Sequence, residues 1–323
     1  MKYREFGKTG WEVSEIGFGA WGIGKSWWGP TDDETSARAL RKALELGVNF
    51  IDTAYIYGDG HSEKLIASVL KERTDKIHVA TKVPPKEWGR VVRSHIPFRE
   101  AFPREWVLEC ADRSREYLRT DTLDLQQLHL WDDHWVEAPE LRELVQELKE
   151  KKLIRAFGVS IKNHNPESAL KLAASGLVDS IQLIYNLFDQ SPAEKLLPLC
   201  QKQNIGVIVR VPLDEGGLSG SLTPQTKFHP EDFRSNYFRG NRLKETCKRV
   251  EKLNFLIRDE IQTIAQAALK FCLSHPAVST VIPGMRRPEH AQDNCAVSDG
   301  KYLAPDELEK VKAHAWIRNF YNN

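Results

Sequence analysis

Four residues of unlike chemistry punctuate the first half of the chain: Asp52, Tyr57, Lys82 and His129. A phenol has an ordinary pKa of about 10, too high for ready proton donation at neutral pH. A neighbouring ammonium favours the phenolate and brings that value down. A carboxylate bonded to the lysine would keep it charged and aimed, and an adjacent imidazole would fix a carbonyl oxygen or help move the proton. The set suits general acid catalysis on a carbonyl. It lacks the nucleophile–base pair of a hydrolase and the ligand count of a metal centre. Taken singly, each residue has a plainer reading. Asp52 caps a helix, Tyr57 packs on a loop, Lys82 is solvated, and His129 is a satisfied core histidine. The chemical reading holds only if the fold brings the four to one rim.

The elements that would do so are legible as a rhythm of short apolar segment, polar loop and amphipathic helix. Apolar runs at 16–19, 48–52, 77–81, 123–130, 154–160, 180–185, 204–210 and 278–284 read as strands. Helical spacing follows them: from Asp33 (capped by Thr31 or Asp32), 62–71, from Pro103, 139–152, 167–175, 193–203, 241–256, 261–273 and after Pro288. Before the first strand, Tyr3 and Phe6 lead through Gly7-Lys8-Thr9-Gly10 to Trp11 and Val13, the pattern of a hairpin. Eight strand–helix units predict an α/β fold, a (β/α)8 TIM barrel with an N-terminal β-hairpin and extra C-terminal helices. One domain is expected over 1–323, with 213–240 as a functional flap. In such a barrel, chemistry gathers where strands end at the C-terminal face. Asp52, Lys82 and His129 end the second, third and fourth strands, with Tyr57 just beyond the second. Ser160, Arg210 and Gly284 end the fifth, seventh and eighth, and Gln182 lies in the sixth.

Composition narrows the classes. Lys plus Arg total 46 and Asp plus Glu 45, a formal charge of +1, without the basic excess of a nucleic-acid binder or an acidic-membrane ligand. The five cysteines, at 110, 200, 247, 272 and 295, form no C-x-x-C pair and read as reduced thiols of a cytoplasmic protein. The first residues, MKYREFGKTGWEVS, lack a signal peptide's apolar stretch, and no apolar run is long enough to span a bilayer.

G-F-G-A-W (17–21), D-T-A-x-x-Y-G (52–58), A-T-K (80–82), L-H (128–129), G-V-S (158–160), Q-x-x-Y-N (182–186), P-L-x-x-G-x-L-x-G (212–220) and I-P-G (282–284) follow one another in the order of a known superfamily. In these motifs the chain closely resembles the aldo-keto reductases. The resemblance implies a nicotinamide cofactor and reversible aldehyde or ketone reduction. Its catalytic tetrad falls on Asp52, Tyr57, Lys82 and His129, with hydride arriving from the nicotinamide C4 and the proton from Tyr57. It places Ser160, Asn163 and Gln182 at the carboxamide, Asn163 being displaced because Ile161 follows Ser160. Gly19, Ala20, Trp21, Asp52, Pro212, Leu213 and Gly284 are placed along the cofactor. Met285–Asn294 matches the adenosine-phosphate clamp, which places His290, Asp293 and Asn294 at the cofactor, while Arg286, Arg287 and the following helix N-terminus suit a 2′-phosphate. NADP(H) is therefore expected over NAD(H), although His290 stands where many members carry Arg or Gln. Arg210 replaces an aromatic ring that many members set against the nicotinamide, and a guanidinium plane also stacks on rings. Trp21, Trp28, Trp88 and Trp131, with Trp27 and Asp132 nearby, are candidate walls for a small carbonyl or sugar substrate.

Four other readings compete. Gly17, Gly19 and Gly22 satisfy G-x-G-x-x-G, but roughly ten loop residues, Pro30 among them, separate them from the next helix, whereas the dinucleotide fingerprint opens a helix directly. A redox-sensing regulatory subunit would keep the same tetrad, and a sugar dehydrogenase would run it mainly toward oxidation. A pure sugar-binding or structural barrel would leave the tetrad a coincidence.

Overall fold

Gly7 and Gly10, both at positive φ (53° and 71°), turn the chain between β1 (Tyr3–Glu5) and β2 (Glu12–Ser14), which pair antiparallel as the sequence predicts. A Cβ on Gly7 would lie 2.3 Å from the Gly206 nitrogen, so only glycine lets the hairpin approach the barrel here. The computed structural model describes residues 1–25, 27–29, 31–93 and 95–321; Pro30 lies outside them. Among the described residues, β3 (Phe18–Gly19), β4 (Phe50–Asp52), β5 (His78–Val83), β6 (Leu123–Leu128), β7 (Ile154–Ser160), β8 (Ser180–Ile184), β9 (Gly206–Arg210) and β10 (Thr280–Val281) form one parallel sheet in chain order. Its edges meet: Ile16 bridges Val281, Gly19 bridges Gly284, and the Gly17 N–H donates to the Val281 carbonyl at 2.8 Å. The result is an eight-stranded α/β barrel. β10 is shorter than the apolar run 278–284 predicts, because Pro283 has no N–H to extend the ladder.

The helices are α1 (Asp33–Glu45), α2 (His61–Leu70), α3 (Trp88–Arg93), α4 (Phe98–Ala101), α5 (Arg104–Leu118), α6 (Pro139–Glu150), α7 (Leu170–Ala174), α8 (Leu196–Lys202), α9 (Arg234–Tyr237), α10 (Arg242–Glu251) and α11 (Ile264–Leu273), with α12 (Pro288–Cys295) and α13 (Pro305–Lys312) after the last strand. Asp32, rather than Thr31, caps α1, accepting from the Thr35 N–H at 2.7 Å. On α6 the buried Leu141, Leu144, Val145 and Leu148 follow helical spacing and pack inward, as the periodicity requires. The segments 193–203 and 241–256, expected as single helices, are each divided by a change to 3-10 winding, at Ser191–Ala193 and Asn254–Leu256.

Inside the barrel, Phe50, Ala80, Leu125, Ala156, Ile208 and Ile282 form a layer closed from below by Phe6 and Val13 of the hairpin. The Phe6 ring lies 5.3 Å from that of Phe50 and is fully buried. The hairpin thus stoppers the N-terminal end and leaves polar side chains to the other end. The five cysteines are all buried and unpaired. No helix among the described residues is long and apolar enough to cross a membrane.

Candidate active site

The barrel brings the four residues to one place. β4 delivers Asp52 and β5 delivers Lys82, neighbouring strands whose register sets Asp52 beside Ala80. Lys82 Nζ donates to Asp52 Oδ1 at 2.5 Å, to the Thr53 carbonyl at 2.7 Å and to the Tyr57 hydroxyl at 3.4 Å. His129 follows β6, its N–H bonded to the Val83 carbonyl, and its ring meets that of Tyr57 edge-on at 5.8 Å. Its Nδ1 is buried without a hydrogen-bond partner.

The electrostatics correct one expectation. Lys82 does not bring the Tyr57 phenol down. Burial pushes Tyr57 well above its ordinary value, and the Asp52 charge adds to the rise. The reason is the ion pair: with Asp52 2.5 Å from Lys82 Nζ, the phenol feels a dipole instead of a free cation. The opposing cation is Arg210. Burial also lowers the Lys82 ammonium, with Asp52 resisting, and burial drives His129 well below its ordinary range, helped by Lys82 and Arg210. The arrangement is a protonated phenol beside a neutral imidazole, both able to donate to one oxygen.

Gln182 of β8 reaches across the barrel to donate to Asp52 Oδ2 at 2.7 Å, and Gln127 of β6 donates to the same oxygen at 3.3 Å. Gln127 escaped sequence reading because it sits within a strand and offers no strand-end signal. Ser160, buried at the end of β7, is in register with Gln182. Arg210 donates through Nη2 to the Ile161 carbonyl and to Asn163 Oδ1, both at 2.9 Å, so Asn163 is engaged by the arginine. The Nε of Arg210 is buried without a partner.

Beyond β9, Pro212 and Leu213 lead into a 3-10 turn (Asp214–Ser219). Val211, Asp214 and Glu215 take positive φ (54°, 50° and 55°), an uncommon and strained backbone for residues with side chains. Asp214 accepts from the Tyr237 hydroxyl at 3.0 Å and from Arg318, and Glu215 accepts from the Tyr321 hydroxyl. The expected flap is therefore bonded to itself through α9 and tied down by the C-terminal tail. The tail contacts were not read from the sequence, although its run of aromatic and arginine residues, 316–321, was there to notice.

At the last strand, Gly19 and Gly284 pair across the closure, and the Ala20 N–H donates to the Asp52 carbonyl. Arg286 packs where a Cβ on Gly22 would stand 2.8 Å from its Cγ. Burial lowers the Arg286 guanidinium, with Arg234 and Arg287 adding to the fall. His290 is lowered by burial and then by Arg287. This crowding of like charge suits an anion, and Arg287 leads directly into α12, whose first helical residue is Pro288. Asn294 donates to the Gly284 carbonyl at 3.5 Å, while Asp293 is one residue earlier on α12.

Of the tryptophans, Trp21 stacks 6.4 Å from Tyr57, Trp28 meets Trp21 edge-on, and Trp88 meets His129 edge-on at 5.2 Å. Phe233, which no sequence signal marked, completes this wall 4.9 Å from Trp21. Trp27 is exposed. Trp131 is a correction: it is fully buried against Trp135 and donates to Asp133, so packing leaves no face of it for a substrate. Asp132 accepts from Lys162 and His134; burial pushes its carboxyl up, but those bonds outweigh burial and hold it near 2.

The model of the Aldo/keto reductase family matches residues 15–315. Aldo-keto reductase YhdN of Bacillus subtilis is 33% identical over 293 residues, covering 89% of this chain and 86% of the relative. The NADH-specific methylglyoxal reductase of Escherichia coli is 28% identical over 313 residues, covering 92% and 93%. The structure of a glycerol dehydrogenase from Gluconobacter oxydans superposes with a TM-score of 0.80 at 27% identity, covering 97% of this chain and 94% of that one. The barrel agrees with these likenesses, and the chain belongs to the aldo/keto reductase family, whose members are oxidoreductases of carbonyl and alcohol groups.

Proposed function

We propose that the protein interconverts a small aldehyde or ketone and its alcohol with NADP(H), Tyr57 exchanging the proton. The observation that carries this reading is the Tyr57 hydroxyl, 3.4 Å from a Lys82 that is itself ion-paired to Asp52, beside a neutral His129. The bound nicotinamide supplies or accepts hydride. The chain's residues do the rest. His129 orients the carbonyl oxygen as a neutral donor, and Tyr57 gives that oxygen its proton in reduction and takes it back in oxidation. Lys82 and Asp52 hold the phenol in place and limit the charge change around it. Trp21, Trp28 and Phe233 exclude water from the reacting carbon, with the more exposed Trp88 at the edge of the wall.

The residues present fit the cofactor. Arg210 Nε and Gln127 Oε1 are buried polar atoms without partners on the same rim, the condition of groups that a ligand completes. Ser160, Asn163, Gln182 and Arg210 would hold the nicotinamide end. Gly19, Ala20, Pro212, Leu213 and Gly284 would line its course. Arg286, Arg287, His290, Asp293, Asn294 and the start of α12 would hold the adenosine end. The crowded arginines favour the extra phosphate of NADP(H) over NAD(H).

The test mixes NADPH-loaded protein with a reactive aromatic aldehyde and follows nicotinamide absorbance through the first turnover and beyond, with NADH in parallel. Sustained oxidation is expected, falling about 10²–10⁴-fold in Tyr57→Phe while NADPH still binds. A Tyr57→Phe variant as fast as the wild type would defeat the assignment. A single slow turnover in the wild type would favour a cofactor-bound sensor instead.

A further inference from the structure

At the catalytic rim, Arg210 is a cation without a close carboxylate among the described residues. Lys82 is neutralised by Asp52 at 2.5 Å, whereas no carboxylate among the described residues lies within ion-pairing distance of Arg210. Its Nη2 bonds to two neutral oxygens, and its Nε has no partner. The nearest acid of the neighbouring turn, Glu215, is bonded to Tyr321. Within the barrel β9 is four strands round from β5, so Arg210 faces Lys82 across the mouth. Its field is felt at Tyr57, Lys82 and His129.

This placement has a consequence for hydride transfer. A carbonyl oxygen held by Tyr57 and His129 lies on the β4–β6 side of the mouth. The hydride partner must approach the carbon from the other side, the wall of Ser160, Gln182 and Arg210. The oxidised nicotinamide ring carries a positive charge and the reduced ring does not. Resting on the proposed nicotinamide function, we propose that Arg210 sets the redox bias of the site, disfavouring the oxidised cofactor relative to the reduced one and so driving the internal equilibrium toward alcohol oxidation. In that direction the alcohol C–H bond breaks with its electron pair passing as hydride to the oxidised cofactor. The hydroxyl proton passes to the Tyr57 phenolate, and the C=O bond forms. Arg210 also favours that phenolate, which lowers the pH at which Tyr57 can accept the proton; because the phenolate is consumed in oxidation, this second effect offsets part of the cofactor bias.

The test measures dissociation constants of NADP⁺ and NADPH for wild type, Arg210→Met, Arg210→Gln and Arg210→Lys, each checked for native circular dichroism. The 2′-phosphate is common to both forms and cancels in their ratio. The wild type is expected to bind NADPH at least tenfold more tightly than NADP⁺. That preference should fall about tenfold in the Met or Gln variant, equal to about 30 mV in the bound two-electron couple, and persist in the Lys variant. The pH profile of alcohol oxidation should move to higher pH in the charge-free variants. Equal binding of the two forms by wild type, or a ratio unchanged in a folded Met or Gln variant, overturns the role of Arg210 and leaves the oxidoreductase standing. Failure of the wild type to bind either form overturns the nicotinamide reading and Arg210 with it.

Discussion

Asp52 holds more of the site together than a role as helix cap would require. Its carboxylate takes a hydrogen bond from Lys82, Gln127 and Gln182, residues of three different strands. Replacing it by Asn would leave a buried ammonium without its counter-charge, a loss on the order of 3–5 kcal/mol. The sign of its pH dependence follows from Lys82. In the variant the folded state holds the Lys82 proton less tightly than the unfolded chain does, so stability should rise with pH. Denaturant titration of Asp52→Asn should therefore show a large deficit at pH 7 that narrows at pH 9. A deficit that stays constant would mean that the lysine is not the destabilised group. At this scale the sequence spoke clearly for the tetrad, because each member sits at or just beyond a strand end. It was silent on Gln127, and it misplaced Trp131 at the substrate wall, since a ring beside a strand end can turn into the core as easily as into the mouth.

Among the elements, the 3-10 turn after β9 is the most strained and the most restrained. Three residues with side chains hold positive φ there, while Tyr237, Arg318 and Tyr321 bond to Asp214 and Glu215. Burial pushes the Glu215 carboxyl from about 4.5 up to about 7; Tyr321 and the charges of Arg210 and Arg234 oppose the rise, and Asp214 adds to it. The folded state thus holds this proton more tightly than the unfolded chain. Stability is undiminished below pH 4.5, falls between there and pH 7, and stays lowered above. Glu215→Gln should match wild type near pH 4 and exceed it at pH 8 by at most roughly 3 kcal/mol. Melting curves at the two pH values check this, and a variant less stable at pH 8 would show that the ionised carboxylate is needed. The alternating strands and helices were legible because their periodicities are local. The partners of this turn were not, since Arg318 and Tyr321 lie more than a hundred positions from the acids they bind.

For the whole molecule, the two ends of the barrel divide the labour. The hairpin closes one end with Phe6, and the other end carries the polar rim. Phe6→Ala should cost about 3–5 kcal/mol of stability through the cavity it leaves, yet turnover per folded molecule should hold below the melting range. Denaturation and steady-state rates on the same preparation separate the two; a parallel loss of turnover would show that the ends are coupled. The barrel closure itself was foreseeable from eight repeated units, but the shortness of β10 follows from one proline that the apolar run concealed.

The buried cysteines have a consequence for the chemistry the protein lives with. They are spread over α5, α8, α10, α11 and α12, and burial raises every one of them, Cys110 and Cys200 to about 12 and Cys295 to about 11. At pH 7 a thiol of pKa 12 is ionised only about once in 10⁵ molecules, and the thiolate is the nucleophile. Reactive carbonyl compounds are electrophiles that form adducts with thiolates. The fold keeps its sulfurs out of their reach, so the carbonyl compounds proposed above as substrates should not also inactivate the protein through its thiols.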